Sequence, residues 1–375
     1  MNEPDDLLPE GLADELPREA AAIAGLSRAI LDTMHIHGYD RVRPPLIEFE
    51  RALAGRMAGE QDDEGPRRLF RFVDPYSLRM LAVRADITPQ VGRIAATALA
   101  GQPRPLRLCY AGEVTMIRAP QLEPARQRFQ LGAELIGCDN VDAASEVVNL
   151  AIEALGQAGL DDIAIDFTLP DIVDVLAENA FPLKPQQRDG VRRELDMKDA
   201  AALKDAGGTD YLPLLYAAGS FDEAVARLAQ IDAGKALQSR IDGLRAVARS
   251  VGDRARLTLD PSERHGFEYQ SWFGFTLYGS GARGALGRGG TYAIAGSGEV
   301  ATGFSIYADA IADALNEDGG EKKRMVFLEH NYDEETAHRL RKEGYRTIMK
   351  ITGEEDPAAL GCTHILVNGE PKALA

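Results

Sequence analysis

Residues 278–292 run YGSGARGALGRGGTY, and Gly279, Gly281 and Gly284 in them spell G-x-G-x-x-G. That spacing serves a dinucleotide phosphate when a strand ends in the glycines and a helix opens after them, because the free N–H groups of the helix then face the anion. The preceding WFGFTLYG is aromatic and β-branched enough for a strand. The helix is missing: Gly287, Gly289 and Gly290 follow at once, and glycine is a poor helix interior. No βαβ repeat surrounds the motif. The stretch therefore reads as a glycine-rich loop between two antiparallel strands, which takes the chain out of the doubly wound class.

The bulk numbers agree with a globular protein. The 375 residues are 45% hydrophobic and 27% charged, enough for a large core and one or two smaller units. A net charge of −17 disfavours general nucleic-acid binding, since phosphate backbones are repelled. No apolar run has the length of a membrane span, and the acidic start MNEPDDLLPEGLADELP argues against a targeting peptide, so a cytoplasmic location is expected. Cys109, Cys138 and Cys362 are far apart and suggest no disulfide framework. His35 and His37 end a predicted helix, where i,i+2 side chains diverge. No metal site and no cofactor are expected.

Residues 17–37 predict a helix with Ile23, Leu26, Ile30 and Met34 on one face and Gly38 as its stop. YDRVRPPLIEFE is an edge or irregular strand, because Pro44 and Pro45 cannot donate to a ladder. RLFRFVDPYSLRMLAVR predicts two strands around Asp74-Pro75, and 89–100 a helix. PLRLCYAGEVTM and RQRFQLGAELIG are two strands joined by the polar loop 117–125; a helix at 142–157 and the strand IAIDFTL follow. Residues 171–253 read as an all-helical insertion. ARLTLD, FEYQSWFGFTLY and VATGFSIY resume the strands, and ADAIADAL is a short helix. Beyond the linker NEDGGEKKR, the end of the chain reads strand–helix–strand–strand. The class is α+β, an antiparallel sheet flanked by helices.

Taken in order, these pieces resemble the catalytic core of a class II aminoacyl-tRNA synthetase, specifically histidyl-tRNA synthetase. GYDRVRPPLIE resembles motif 1, which builds the dimer interface in that family. LRLCYAGEVTM and RQRFQLGAELIG resemble motif 2, and GRGGTY with ATGFSIYADAI resembles the glycine-rich strand and motif 3. The likeness covers residues 8–316. It implies a synthetase-like core at 1–170 and 254–316, a helical insertion at 171–253, and a truncated anticodon-domain-like segment at 324–375. It also places the glycine loop as a turn near the amino-acid pocket.

The resemblance implies which residues meet histidine. Gln130 and Glu134 of QLGAE match residues that hold the amino acid, and Asp86 and Thr88 of VRADIT match the pair on the α-ammonium. Tyr269 and Tyr292 match pocket tyrosines, while Gln270 replaces a second tyrosine. Carboxylates suit an ammonium and an imidazole N–H. The arginines that stabilise adenylation are gone. Their positions hold Met116, His265 and Ala310, with Arg118 and Arg264 as the arginines near enough in sequence to substitute. Each lost contact of this kind costs about 100- to 1,000-fold in rate.

A synthetase body without its ATP arginines, with much of its histidine pocket and a shortened tRNA-binding end, resembles the regulatory subunit of ATP phosphoribosyltransferase. That family implies a non-catalytic chain that assembles with a short-form catalytic subunit around a homodimer core, with histidine as ligand and neither nucleic acid nor membrane as partner. An active ATP-dependent amino-acid ligase and a free-standing histidine-binding dimer are the alternatives.

Overall fold

The computed structural model describes residues 8–57, 69–117, 125–231, 234–264, 270–315 and 324–374. Arg118, His265 and Tyr269 lie outside them, as does the Gln270 side chain. Contacts divide the chain into two compact units, residues 1–317 and 318–375.

The first unit opens with helix α1 (Pro17–Ile36), whose buried Ile23, Ile30 and Met34 fall on one face. Glu19 accepts the Leu16 N–H at 3.1 Å, and Gly38 at φ +82° stops the helix where a side chain would be strained. Short strands β1 (Asp40–Arg41) and β2 (Ile47–Phe49) flank Pro44-Pro45, then come α2 (Glu50–Met57), β3 (Arg71–Val73), β4 (Met80–Val83) and α3 (Thr88–Ala96). The long hairpin strands β5 (Leu106–Thr115) and β6 (Gln127–Ile136) lead to α4 (Val141–Gln157), capped by Asn140, and to β7 (Ile163–Thr168).

Residues 171–253 carry α5 (Ile172–Asn179), α6 (Pro185–Asp196), α7 (Ala200–Asp205), α8 (Phe221–Ile231) and α9 (Gln238–Val251). The segment is not wholly helical. Its two-residue strand β8 (Gly219–Ser220) pairs with β9 (Arg256–Leu259), adding an edge to the main sheet that is too short to show a period. Then follow β10 (Gln270–Gly279), β11 (Gly287–Ala293), β12 (Val300–Tyr307) and α10 (Ala308–Leu315).

The main sheet has nine strands in the order β1-β5-β6-β12-β11-β10-β7-β9-β8. Its centre, from β5 to β7, is antiparallel throughout; β1 against β5 and β9 against β7 are parallel additions. One face packs on α1, α4 and α10 through Leu131, Ala133, Phe304 and Ile306, and this core continues into the helices of 171–253. On the other face Leu108, Tyr110, Val114 and Ala301 form a smaller core with Ile87, Val91 and Ala95 at α3. A separate three-stranded sheet runs β2-β4-β3.

The glycine motif is a hairpin connection, and its turn lies away from the pocket. Gly281 sits at φ +79°, where a Cβ would come 2.7 Å from the Ala314 carbonyl oxygen at the end of α10. Of these glycines Gly290, already inside β11, reaches the level of Glu134, through Gly303 of β12.

The second unit has strands β13 (Met325–Leu328), β14 (Arg346–Met349), β15 (His364–Val367) and β16 (Glu370–Ala373), with α11 (Glu334–Lys342), in the sheet order β14-β13-β15-β16. The fourth strand is absent from the strand–helix–strand–strand expectation. Asn368 at φ +54° and Gly369 at φ +81° make the two-residue turn that joins it to β15, an Asn-Gly hairpin signal present in the sequence and passed over there.

Candidate functional site

Side chains alternate along a strand, so Gln130 and Glu134, four apart in β6, point to the same face. That face meets the N-terminus of α3. Gly132 between them is needed: a Cβ there would overlap the Tyr110 hydroxyl, and one on Gly303 of the neighbouring strand would overlap Glu134 Oε2.

Glu134 is 1% exposed and accepts three hydroxyl hydrogen bonds. Thr88 Oγ1 donates at 3.0 Å and Tyr110 OH at 3.2 Å to Oε1, and Tyr292 OH at 2.7 Å to Oε2. Gln130 works both ways. Its Nε2 donates to Asp86 Oδ1 at 2.7 Å and to Ser305 Oγ at 2.9 Å, while its Oε1 accepts the Ile87 N–H at 2.9 Å. Asp86 Oδ1 also accepts the Thr88 N–H at 3.0 Å, which holds the carboxylate at the start of α3.

Five of the expected pocket residues, Asp86, Thr88, Gln130, Glu134 and Tyr292, therefore share one network. Tyr110 and Ser305, 2.8 Å apart, belong to it as well and were not singled out from sequence. The signal for Ser305 was its spacing of two from Gly303, which puts it on the pocket face of β12. Tyr110 gave none, since a tyrosine in an apolar strand reads as core.

Burial pushes Glu134 up to about 8, against the lowering effect of the Tyr292 and Thr88 hydroxyls and with Asp86 adding repulsion. Burial likewise raises Asp86, opposed by Gln130. Tyr110 is pushed well above its usual range, first by burial and then by Glu134. Such an arrangement accommodates positive charge and N–H donors better than an anion.

The positions that lack arginine sit further along the same sheet. Met116 follows β5, exchanging hydrogen bonds with Arg126 through its N–H at 2.7 Å and its carbonyl at 3.2 Å. Ala310, in α10, packs on the main core. Beside it, Asp309 takes the Phe129 N–H at 2.8 Å and Arg128 Nε at 3.2 Å, and Arg128 stacks on Tyr307 at 3.8 Å. Asp309 thus gives Arg128 a carboxylate partner next to Ala310. Arg264 is exposed and its backbone N–H binds Asp196 at 2.8 Å. Among the described residues no group of His, Cys, Asp and Glu is placed to hold a metal ion, and no helix is long and apolar enough to cross a membrane.

A family model for histidyl-tRNA synthetase matches residues 11–311. Over 97% of its length the chain is 39% identical to a Rhodospirillum centenum protein named ATP phosphoribosyltransferase regulatory subunit, of which it spans 95%. The chain belongs to the ATP phosphoribosyltransferase regulatory subunit family. In that family it is a non-catalytic, regulatory chain of histidine biosynthesis on a synthetase-like fold. Solved structures show the same fold. A Bacillus halodurans protein described as an ATP phosphoribosyltransferase regulatory subunit/histidyl-tRNA synthetase gives a TM-score of 0.78 at 22% identity, covering 96% of this chain and 97% of that one. A chain of the ATP phosphoribosyl transferase (HisG:HisZ) complex from Thermotoga maritima gives 0.58 at 16% identity, covering 76% and 97%.

Proposed function

We propose that this regulatory subunit forms a homodimer, recruits a short-form catalytic subunit of ATP phosphoribosyltransferase, and holds free histidine on Asp86, Thr88, Gln130, Glu134 and Tyr292. One contrast carries the reading: Asp86, Thr88, Gln130, Glu134 and Tyr292 keep an unbroken polar network, whereas Met116 and Ala310 stand at two adenylation positions and Asp309 neutralises Arg128 beside them. Decay of an unused site would have spared neither set. His265 and Tyr269 join this proposal from the family resemblance alone.

The dimer surface is supported by the small β2-β4-β3 sheet. Phe49 and Phe72 flank Leu81 in one row, with Ile47 beside Val83 on the same side, and Ile47, Phe49 and Phe72 are exposed. Tyr76 (96% exposed) and Leu78 (78%) extend the apolar surface at the adjoining turn. Exposed apolar side chains gathered in this way, with the Arg79 guanidinium over the Phe49 ring at 3.4 Å, suit a protein interface. A cytoplasmic location and the absence of a nucleic-acid partner belong to the same reading, supported by the net charge of −17.

The test is reconstitution. The chain mixed with a short catalytic subunit produces phosphoribosyl-ATP formation that histidine inhibits, and the chain alone catalyses no histidine-dependent ATP–pyrophosphate exchange. Exchange well above background returns the chain to the ligases. Glu134→Ala lowers histidine affinity roughly 10- to 150-fold by removing a charge-assisted hydrogen bond; unchanged affinity places histidine elsewhere.

A further inference from the structure

The chain leaves the main sheet abruptly at its β8 edge. β8 pairs with β9 at two positions, Gly219 with Leu259 and Ser220 with Thr258. At Phe221 the backbone turns into α8, so among the described residues β9 has no partner strand on that side from Leu257 back to its start. The space left there is a groove of about 540 Å³ between the start of α8 and the last two turns of α9. That volume falls within the roughly 300–1,000 Å³ of small-molecule sites. The groove shares no residue with the network around Glu134.

Its lining has an apolar part and a charged part. Phe221, 9% exposed, is fixed by edge contact with the Phe167 ring at 5.9 Å, and Leu257 lies across from it. Between them Ala248, Gly252 and Ala255 carry nothing beyond Cβ, so a flat body can approach the backbone. Arg245 and Arg249, four apart, stand on one face of α9, a spacing at which like charges destabilise a helix slightly unless an anion lies between them. Arg240 of the same helix is paired with Asp171. Arg245 reaches only Asp242, at 4.0 Å, and Arg249 makes no hydrogen bond or ion pair among the described residues.

We propose that this groove is a second ligand site, for a phosphomonoester borne on a flat apolar ring. A phosphomonoester carries about −1.5 to −2 charges at neutral pH, which two guanidinium groups neutralise. Each planar guanidinium presents paired N–H donors to phosphate oxygens. Asp222 on the opposite wall leaves the lining one positive charge in excess, so a monoester is nearly compensated and a triphosphate is not.

The experiment is calorimetric titration of the full chain at neutral pH with phenyl phosphate, inorganic phosphate and phenol. Phenyl phosphate binds at least about tenfold more tightly than either fragment. Arg245→Gln combined with Arg249→Gln weakens it by about tenfold or more at an unchanged melting temperature, since both side chains are exposed. Asp222→Asn removes the opposing charge and tightens it by about two- to fivefold, a gain that a misfolded chain does not show. Four results overturn the proposal: a fragment that binds as tightly as phenyl phosphate, parental affinity in the double arginine variant, a folded Asp222→Asn that fails to tighten, or no saturable binding at millimolar phenyl phosphate.

Discussion

Glu134 is the residue on which most of the site depends, and its titration gives a stability signature. Its pKa in the folded chain, about 8, lies above its ordinary value of 4.5, because burial disfavours the charged form. The protonated group's contribution to stability is fully present below the ordinary value and is lost as pH rises through the folded value. Melting temperature of the parent therefore falls between about pH 5 and pH 8.5 more steeply than that of Glu134→Gln, which has nothing to titrate there; parallel curves for the two would contradict this. A second residue-scale expectation concerns Gly303. A Cβ there meets both the Glu134 carboxylate and the Ala133 carbonyl oxygen, which is backbone and cannot turn away. Gly303→Ala costs about 1–3 kcal/mol in denaturant unfolding, as overpacking does, and removes histidine binding in a calorimetric titration.

At the scale of elements, the β10–β11 hairpin separates a structural glycine from the site. Gly281 closes the turn at a positive φ and against the Ala314 carbonyl oxygen, whereas Gln270 and Tyr292 pair at the opposite end of the hairpin. Gly281→Ala is expected to cost about 1–3 kcal/mol of stability through backbone strain. Ligand affinity stays at the parent value, since the folded variant keeps the Tyr292–Glu134 bond. A variant of parental stability with weakened histidine binding would mean that the turn serves a ligand after all. The C-terminal hairpin of β15 and β16 shows the same economy: two residues at positive φ, Asn368 and Gly369, join the strands.

For the whole molecule the governing feature is the side of β2-β4-β3 that carries Ile47, Phe49 and Phe72, with Arg79 over Phe49, on an otherwise acidic chain. Phe72 lies on that side and is 40% exposed, so replacing it costs the fold little. Phe72→Asp converts the expected dimer to a monomer in sedimentation at micromolar concentration, by burying a charge at the interface, with the circular dichroism spectrum unchanged. A dimer that survives the change moves the two-fold contact to another surface. Loss of the dimer is also expected to reduce activation of the catalytic subunit, measured as phosphoribosyl-ATP formation.

The chain's residues alone determined the class and most of the succession of elements, the short strands β8 and β16 excepted. The 3.6-residue spacing of Ile23, Ile30 and Met34, the alternation in QLGAELIG and the glycines that forbid a helix after 278–292 are local patterns, readable because neighbours in sequence set them. The spacing of Gln130 and Glu134 was legible for the same reason, and Asp86 and Thr88 were identified by the motif they resemble. What stands across a strand is a sum of distant contacts, and only the tertiary structure decided it. The register of β5, β6 and β12 brings Tyr110 and Ser305 to Glu134 and sets Gly303 against its carboxylate. The same packing moved the glycine turn to the end of α10 and tied Asp309 to Arg128. It also left the carboxylates of Asp86 and the buried Glu134 without an ion pair among the described residues, because burial and pairing belong to the folded chain and to no single stretch of its sequence.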